Sequence, residues 1–319
     1  MLDSATRHLF RHVLRCSPRQ VQLFHRRAVA NKSNAGGTDD PALYCQDLVR
    51  KHDYEGFLVS FAYPAGLRNA YFALKAFNAE LAMIPESTSQ ATIAQMRYQF
   101  WKDAVKAVYE GQAPQQPIAL ALRGVVPAVP AYHLLRMIDA RVAEVTNPGF
   151  MSVDDLTAHA ESTSSTQLYT HLSLLSLSSS SLYSHAASHI GIANSFATIL
   201  RALPFQASKR RLFLPAELTA KHGVSQEDVF RHGGDAQGID DAVYELASLA
   251  YQHISTARGM FDNAQVPREA LPVFLSAIPT ISYLQRLEAR NFHAFEPKLQ
   301  TRDWKLPYRV WQANRRSTF

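Results

Sequence analysis

Histidines provide the first spacing in this 319-residue sequence that could do chemistry. His185 and His189 stand four residues apart, which places both imidazoles on one face of a helix and can chelate zinc. No acid or cysteine lies near them in sequence to complete a metal site. We therefore interpret them as interior histidines satisfied by hydrogen bonds. The sequence also has no G-x-S-x-G nucleophile signature and no glycine-rich phosphate loop.

Basic residues form a second group, because several of them could meet an anionic ligand. They are Lys75, Arg97, Arg201 and Lys209–Arg211. Structural interpretations exist for the same residues. Arg97 can pair with Asp139 or Glu80 in the core, where a buried charge needs a partner. The run Lys209–Arg211 can be a solvated loop charge. The sequence leaves both interpretations open.

Helical spacing of apolar residues extends over nearly the whole chain from Pro41 onward. Asp40–Pro41 predicts a helix start, since the acid can cap the helix and proline suits its first position. The predicted helices cover about 41–52, 54–61, 66–82, 88–110, 115–126, 131–145, 152–158, 163–176, 180–202, 215–220, 225–232, 238–263, 268–278, 280–290 and 304–315. Prolines, including Pro85 and Pro204, are predicted to mark breaks. Only Arg211–Leu214 could be briefly extended.

One long stretch, Ser162 to Leu200, contains no Asp, Glu, Lys or Arg. A membrane-spanning helix needs ~20 predominantly apolar residues, and this stretch is too rich in Ser, Thr and His to supply them. We predict two helices in the interior of a helical bundle, whose hydroxyl groups bond back to their own backbone.

Several blocks, taken in order, resemble the squalene/phytoene synthase family of head-to-head prenyl synthases. They are YFALKAFNAEL at 71–81, MRYQFWKDA at 96–104, RMIDAR at 136–141 and HIGIANSFATILRALPFQASKRRLFLP at 189–215. Residues 222–229 and 266–287 fit the helices that follow in the family. The resemblance covers about 41–295. It implies an all-α, single-domain bundle of the trans-isoprenyl diphosphate synthase type with a central cavity.

The resemblance also implies a magnesium clamp of acidic residues on two facing helices, which would hold a diphosphate. In this sequence Asn78, Ala79 and Ala82 stand at the acidic positions of the first helix, and Ala202 stands at that of the second. Glu80 remains, but it points about 200° around the helix from Asn78. We therefore expect no catalytic residues, no metal and no cofactor.

Candidate binding residues follow from the same blocks. They are Tyr71, Lys75, Asn78, Glu80, Arg97, Arg201 and Arg211.

The first 35 residues hold all of the excess positive charge. They contain seven basic residues and one acid, whereas residues 36–319 contain 26 of each. A nucleic-acid-binding protein would carry its basic patch on the folded body, so this class is excluded. An Arg-rich, amphipathic, acid-poor N-terminus is typical of a mitochondrial presequence. We predict a presequence and linker at 1–35 and a helical domain at 36–319. Cys45 alone would remain after cleavage, which excludes a disulfide scaffold.

Two functions compete on this sequence. The blocks as a group resemble a mitochondrial branch of the family, which implies a non-catalytic assembly factor for respiratory complex I (NADH:ubiquinone oxidoreductase). Such a protein would act early in assembly, peripherally on the matrix side of the inner membrane, with assembly intermediates as partners and a prenyl lipid as a possible cavity ligand. The alternative is a divergent prenyltransferase in which Glu80, Asp103 and Asp139 supply the metal ligands.

Overall fold

The structure, a computed structural model, describes residues 40–88 and 90–319, and every regular element in those ranges is helical. The helices are α1 (Pro41–His52), α2 (Tyr54–Val59), α3 (Arg68–Ser87), α4 (Ala91–Tyr109), α5 (Pro117–Leu122), α6 (Ala131–Thr146), α7 (Val153–Ala160), α8 (Thr166–Leu174), α9 (Ser181–Ser208), α10 (Ala216–Lys221), α11 (Gln226–His232), α12 (Ile239–Gly259), α13 (Leu271–Phe274), α14 (Ala277–Glu288) and α15 (Leu306–Arg316). The all-α prediction is confirmed.

Helix starts follow local capping chemistry. The side chain of Asp40 accepts a hydrogen bond from the amide of Ala42, and Pro41 occupies the first turn of α1, as predicted. Ser152 and Asp155 form a reciprocal capping box at the start of α7. These bonds satisfy amide groups that have no partner within the helix.

Two predicted proline breaks are wrong, because α3 continues past Pro85 to Ser87 and α9 continues past Pro204 to Ser208. Proline at position 85 cannot donate to the carbonyl of Leu81, one turn earlier. The hydroxyl of Tyr98 donates to that carbonyl instead, at 3.1 Å, so the helix tolerates the proline. The segment Arg211–Leu214 is irregular rather than a strand.

Helix α9 lies at the centre of the bundle and packs against α12, α8, α14 and the π-helical turn Glu161–Ser165. The closest approach is at Gly191, where a Cβ atom would stand 2.4 Å from the backbone of Ser165. The seryl hydroxyl of Ser165 donates to the carbonyl of Ser188 across the same contact. The two helices of the uncharged stretch therefore pack into the bundle interior, as predicted, whereas residues 175–185, which link them and begin α9, are exposed or half-buried.

The histidine pair on α9 divides between interior and surface. His189 is half-buried, and its Nδ1 lies 2.8 Å from Nδ1 of His253 on α12. His185 is exposed, so the prediction that it is an interior histidine is wrong. The reason is the face of α9 on which it lies, since the next two residues, Ala186 and Ala187, are fully buried while His185 faces solvent.

The predicted presequence and linker at 1–35 lie outside the described residues and stay a prediction. Cys45 is buried and is the free cysteine of the described part of the chain. Burial raises the pKa of its thiol to about 12. Across residues 40–88 and 90–319, no helix has both the length and the apolar character needed to cross a membrane.

Candidate functional site

A cavity of about 420 Å³ opens between α3 and α9, with further walls from α2, α6, α8 and α14. The four positions at which the family resemblance implies metal ligands all line it: Asn78, Ala79, Ala82 and Ala202. The three alanine side chains offer no ligand atoms. The amide of Asn78 lies 3.5 Å from Oε1 of Gln167 across the cavity wall. The four positions named from the sequence therefore lie together on the wall of one cavity.

Four carboxylates that the sequence did not indicate also line the cavity. They are Asp53, Glu55, Glu86 and Glu144. Three of them pair with a basic side chain, and Glu86 meets the amide of Gln206 at 3.5 Å. None belongs to the blocks on which the metal clamp was judged to be lost. Charged groups that the sequence did not indicate therefore line the cavity.

Asp53 and Lys75 form the first of these pairs, with 2.5 Å between Oδ2 and Nζ. Asp53 also caps α2 by accepting from the amide of Gly56. Gly56 leaves room for this pair, because a Cβ would stand 2.5 Å from the Lys75 side chain and 2.6 Å from the Asp53 carboxylate and would displace them. Burial raises the pKa of Asp53, but the Lys75 charge and these hydrogen bonds more than offset it, so the pKa lies below its usual value.

A second pair joins Glu55 to Arg201, with 2.7 Å between Oε1 and Nη1. Burial lowers the pKa of Arg201, but the neighbouring Glu55 and Asp53 carboxylates outweigh burial and raise it. Lys75 and Arg201 are thus both neutralised by acids from the short segment 53–55. An incoming diphosphate would have to displace those carboxylates and would be repelled by them.

A third charged group closes another part of the wall. Arg141 donates to Glu144 at 2.8 Å, and Nε2 of His159 lies 3.1 Å from the same oxygen. Burial raises the pKa of Glu144, but Arg141 and His159 outweigh it and hold the pKa at about 2. The carboxylate is therefore charged at neutral pH and is already bound to Arg141 and His159.

Aromatic side chains form the inner end of the cavity. Tyr71 lines it, and its hydroxyl donates to the carbonyl of Gly56 at 2.8 Å. Its ring lies 4.3 Å from that of Tyr63 and 4.9 Å from that of His171, measured between centroids. Burial, together with the charge of Lys75, lowers the pKa of His171 to about 3, so its imidazole is neutral.

The structure does not bring every candidate binding residue to the cavity. Tyr71, Lys75, Asn78, Arg201 and Arg211 line it.

The remaining two candidates, Glu80 and Arg97, pair with each other, with 2.6 Å between Oε1 and Nη2, and do not line the cavity. This is one of the two pairings that the sequence left open for Arg97. The other acid, Asp139, pairs with Lys102 instead.

A magnesium–diphosphate clamp does not fit the residues present. Among the residues that the structure describes, no three His, Cys, Asp or Glu side chains come together in a way that could hold a metal. The ligands required by the prenyltransferase alternative do not converge either, since Glu80 and Asp139 are in ion pairs and Asp103 accepts from Gln99.

Residues 49–312 match the sequence pattern of the squalene/phytoene synthase family. The chain belongs to this family. Its relatives include the proteins named NADH dehydrogenase (ubiquinone) complex I, assembly factor 6, from Rattus norvegicus and Homo sapiens. The rat protein is 39% identical over 90% of this chain and 85% of its own length. The human protein is 38% identical over 92% of this chain and 86% of its own length.

Solved structures of squalene/phytoene synthase family enzymes share the fold. A dehydrosqualene synthase in complex with ligand superimposes with a TM-score of 0.72 at 16% identity, covering 86% of this chain and 95% of its own. The squalene synthase HpnC from Alicyclobacillus acidocaldarius gives 0.68 at 15% identity, covering 79% and 94%. At this level of identity the likeness establishes the fold alone.

Of the four cavity carboxylates, only Asp53 stands in a sequence pattern that could have indicated it. Asp53 directly precedes the predicted helix at 54–61, where an acid is expected as a cap. Its second role, pairing with Lys75, joins residues 22 positions apart and required the fold. The Glu55–Arg201 pair joins positions 146 apart and left no pattern in the sequence.

Proposed function

We propose that this protein is a non-catalytic assembly factor for mitochondrial respiratory complex I, which acts as a binding scaffold early in assembly, peripherally on the matrix side of the inner membrane. One observation carries the non-catalytic part. Where a metal clamp would lie, Asn78, Ala79, Ala82 and Ala202 line the cavity. The relatives named as complex I assembly factors support the assembly part and its mitochondrial location.

Charge within the cavity supports the same conclusion. A prenyl diphosphate needs unpaired cations as well as metal ions, and both Lys75 and Arg201 are held by internal carboxylates. Fold alone does not fix function, and the cavity chemistry here has moved away from diphosphate binding. The cavity keeps its shape and its hydrogen-bonding groups. These features are compatible with a scaffold whose cavity binds a neutral ligand such as a prenyl lipid.

Depletion from cells tests the assembly function. We expect complex I activity and the amount of fully assembled complex on native gels to fall, with complexes III and IV unchanged as internal controls. Re-expression of the wild-type chain should restore assembly. Normal complex I after complete depletion would overturn the proposal.

A biochemical assay tests the non-catalytic part. The purified protein is incubated with Mg²⁺ and farnesyl or geranylgeranyl diphosphate, and pyrophosphate release is measured. We expect no release above background. Glu86→Gln removes the one cavity carboxylate that has no basic partner among the described residues, and Glu80→Gln is a matched change outside the cavity. Release that disappears in Glu86→Gln but persists in Glu80→Gln would establish a prenyltransferase instead.

A further inference from the structure

The C-terminal helix α15 has one face in the core and an opposite face of aromatic residues in solvent. Leu306, Val310 and Ala313 are buried. Trp304, in the turn before the helix, is 81% exposed, and Tyr308 is 52% exposed. Trp311 continues the same stripe at helical spacing and is 39% exposed. Large exposed aromatic side chains in a row are unusual on a protein surface that faces only water.

Basic side chains surround this stripe. Residues 297–316 contain six basic residues and one acid, although residues 36–319 as a whole are neutral. The ammonium of Lys305 lies 5.4 Å from the ring centre of Trp304, and the guanidinium of Arg315 lies 5.7 Å from that of Trp311. Asp303, the single acid, faces inward and bonds to Ser282. The exposed surface of this segment is therefore aromatic and positively charged.

We propose that this surface, formed by Trp304, Lys305, Tyr308, Trp311, Arg315 and Arg316 and here called the C-terminal aromatic face, docks on an anionic lipid bilayer. Tryptophan and tyrosine rings favour the membrane–water interface because they combine an apolar body with a polar edge. Basic residues beside them attract anionic headgroups. An amphipathic helix with these two features lies in the plane of the interface.

The inference deepens the proposed function, on which it rests for the choice of membrane, by naming the surface that makes the peripheral contact. The same chain segment also borders a second, smaller cavity. That cavity, of about 130 Å³, is lined by residues from 299–306 and shares Glu55, Arg201 and Tyr283 with the main one. The C-terminal aromatic face is therefore part of the segment that lines this smaller cavity.

Intrinsic fluorescence can test this contact in the full chain. Of its three tryptophans, Trp101 is buried, so a change on adding lipid reports on Trp304 and Trp311. The protein is titrated with phosphatidylcholine vesicles, with and without phosphatidylglycerol, and with lipids brominated on their acyl chains. We expect a blue shift and quenching by brominated lipid only when phosphatidylglycerol is present.

Charge reversal supplies the matched comparison. Lys305→Glu/Arg315→Glu should raise the lipid concentration for half-maximal quenching by roughly tenfold or more, since each basic residue near an anionic surface contributes to binding. Lys106→Glu/Arg123→Glu changes the net charge equally at exposed positions elsewhere and should have little effect. The Arg-rich N-terminus is present in both variants, so any contribution that it makes to lipid binding is the same in the two.

Three outcomes would overturn the proposal: no quenching by brominated lipid, quenching that is independent of phosphatidylglycerol, or equal weakening by both double variants. An aromatic face that serves a protein partner would give the first of these. The result is separate from that of the depletion experiment. Normal complex I in depleted cells combined with lipid quenching would reject the assembly function and retain the membrane contact.

Discussion

At the scale of single residues, the cavity differs from an anion-binding site through two acids, Asp53 and Glu55, rather than through lost cations. Lys75 and Arg201 are present at the cavity, as the sequence predicted. Their charges are already matched by carboxylates at 2.5 and 2.7 Å. A list of basic residues near a motif therefore overestimates anion binding, because it cannot include acids that the fold brings from elsewhere.

Asp53 has two roles that substitution can separate. Asp53→Ala removes both the cap of α2 and the partner of Lys75, whereas Asp53→Asn keeps the capping oxygen and removes only the charge. We expect Asp53→Ala to lower the free energy of unfolding by about 2–3 kcal/mol, as measured by urea denaturation. The decrease for Asp53→Asn should be smaller by about 1 kcal/mol, because the cap of α2 is kept.

The pairing itself has its own check. In Asp53→Asn, a further Lys75→Met change removes the unpaired ammonium, and part of the lost stability should return. If Lys75→Met is as costly in the Asp53→Asn background as in the wild type, the two side chains are not energetically coupled.

At the scale of elements, helix positions were predictable and helix ends near proline were not. Periodicity located the helices because buried apolar residues recur at helical spacing. Whether Pro85 ends α3 depended on a hydroxyl from another helix, that of Tyr98, which no local pattern reveals. The spacing of apolar residues also could not predict the π-helical turn at Glu161–Ser165, because this turn is a single wide turn within a continuous helical run.

Gly191 offers a prediction at this scale. The contact between α9 and the turn at Ser165 leaves no room for a side chain, because a Cβ would stand 2.4 Å from the Ser165 Cα, a backbone atom. We expect Gly191→Ala to lower the free energy of unfolding by about 3 kcal/mol or more, through overpacking that forces the two helices apart. Thermal denaturation measures the change.

Gly259 provides the control for that substitution. It ends α12, and a Cβ added there would have no neighbour within 4 Å, so the side chain of Gly259→Ala meets open space. Alanine is favoured over glycine in a helix, and we expect an unchanged or slightly raised stability. A Gly191→Ala protein as stable as Gly259→Ala would show that α9 can shift without cost.

At the scale of the whole molecule, the fold and several residues of the cavity wall were predictable from the sequence, whereas the charge arrangement was not. The ordered sequence blocks identified the family, and the family fixed the arrangement of the helices. Net charge hid the C-terminal aromatic face, because the excess of basic residues at 297–316 is balanced by acids elsewhere in residues 36–319. A total over the chain cannot show where its contributions lie.

Stability should also depend on pH as a property of the whole fold. The pKa of His171 is about 3 in the folded protein, far below its usual value, so the folded state favours the neutral imidazole. This contribution is complete above about pH 6.5 and is lost as the pH falls toward 3. At about 1.4 kcal/mol per pH unit, we expect a loss of about 2–3 kcal/mol between pH 6.5 and 4.5.

Glu144 acts in the same direction over a lower range. Its folded pKa of about 2 means that its contribution is complete above about pH 4.5 and is lost below it. Urea denaturation at pH 7, 6 and 5 therefore separates the histidines from Glu144. Burial also lowers the pKa values of His52, His133, His189 and His253, so a His171 variant is needed to find the share of His171. His171→Phe, which suits the rings of Tyr63 and Tyr71, should flatten that part of the curve. A slope equal to that of the wild type would assign the effect to another group.

The ion pairs of the cavity also constrain the evolution of this chain. Restoring acids at Asn78, Ala82 and Ala202 would leave Lys75 and Arg201 bound to Asp53 and Glu55, so neither of these two cations would be free for a diphosphate. Losing Asp53 and Glu55 first would leave two cations without counter-charges and would weaken the fold before any activity was gained. Either order of single changes therefore passes through a form that has lost or not yet gained one of the two requirements. A return to diphosphate chemistry would need several coordinated substitutions in this wall of the cavity.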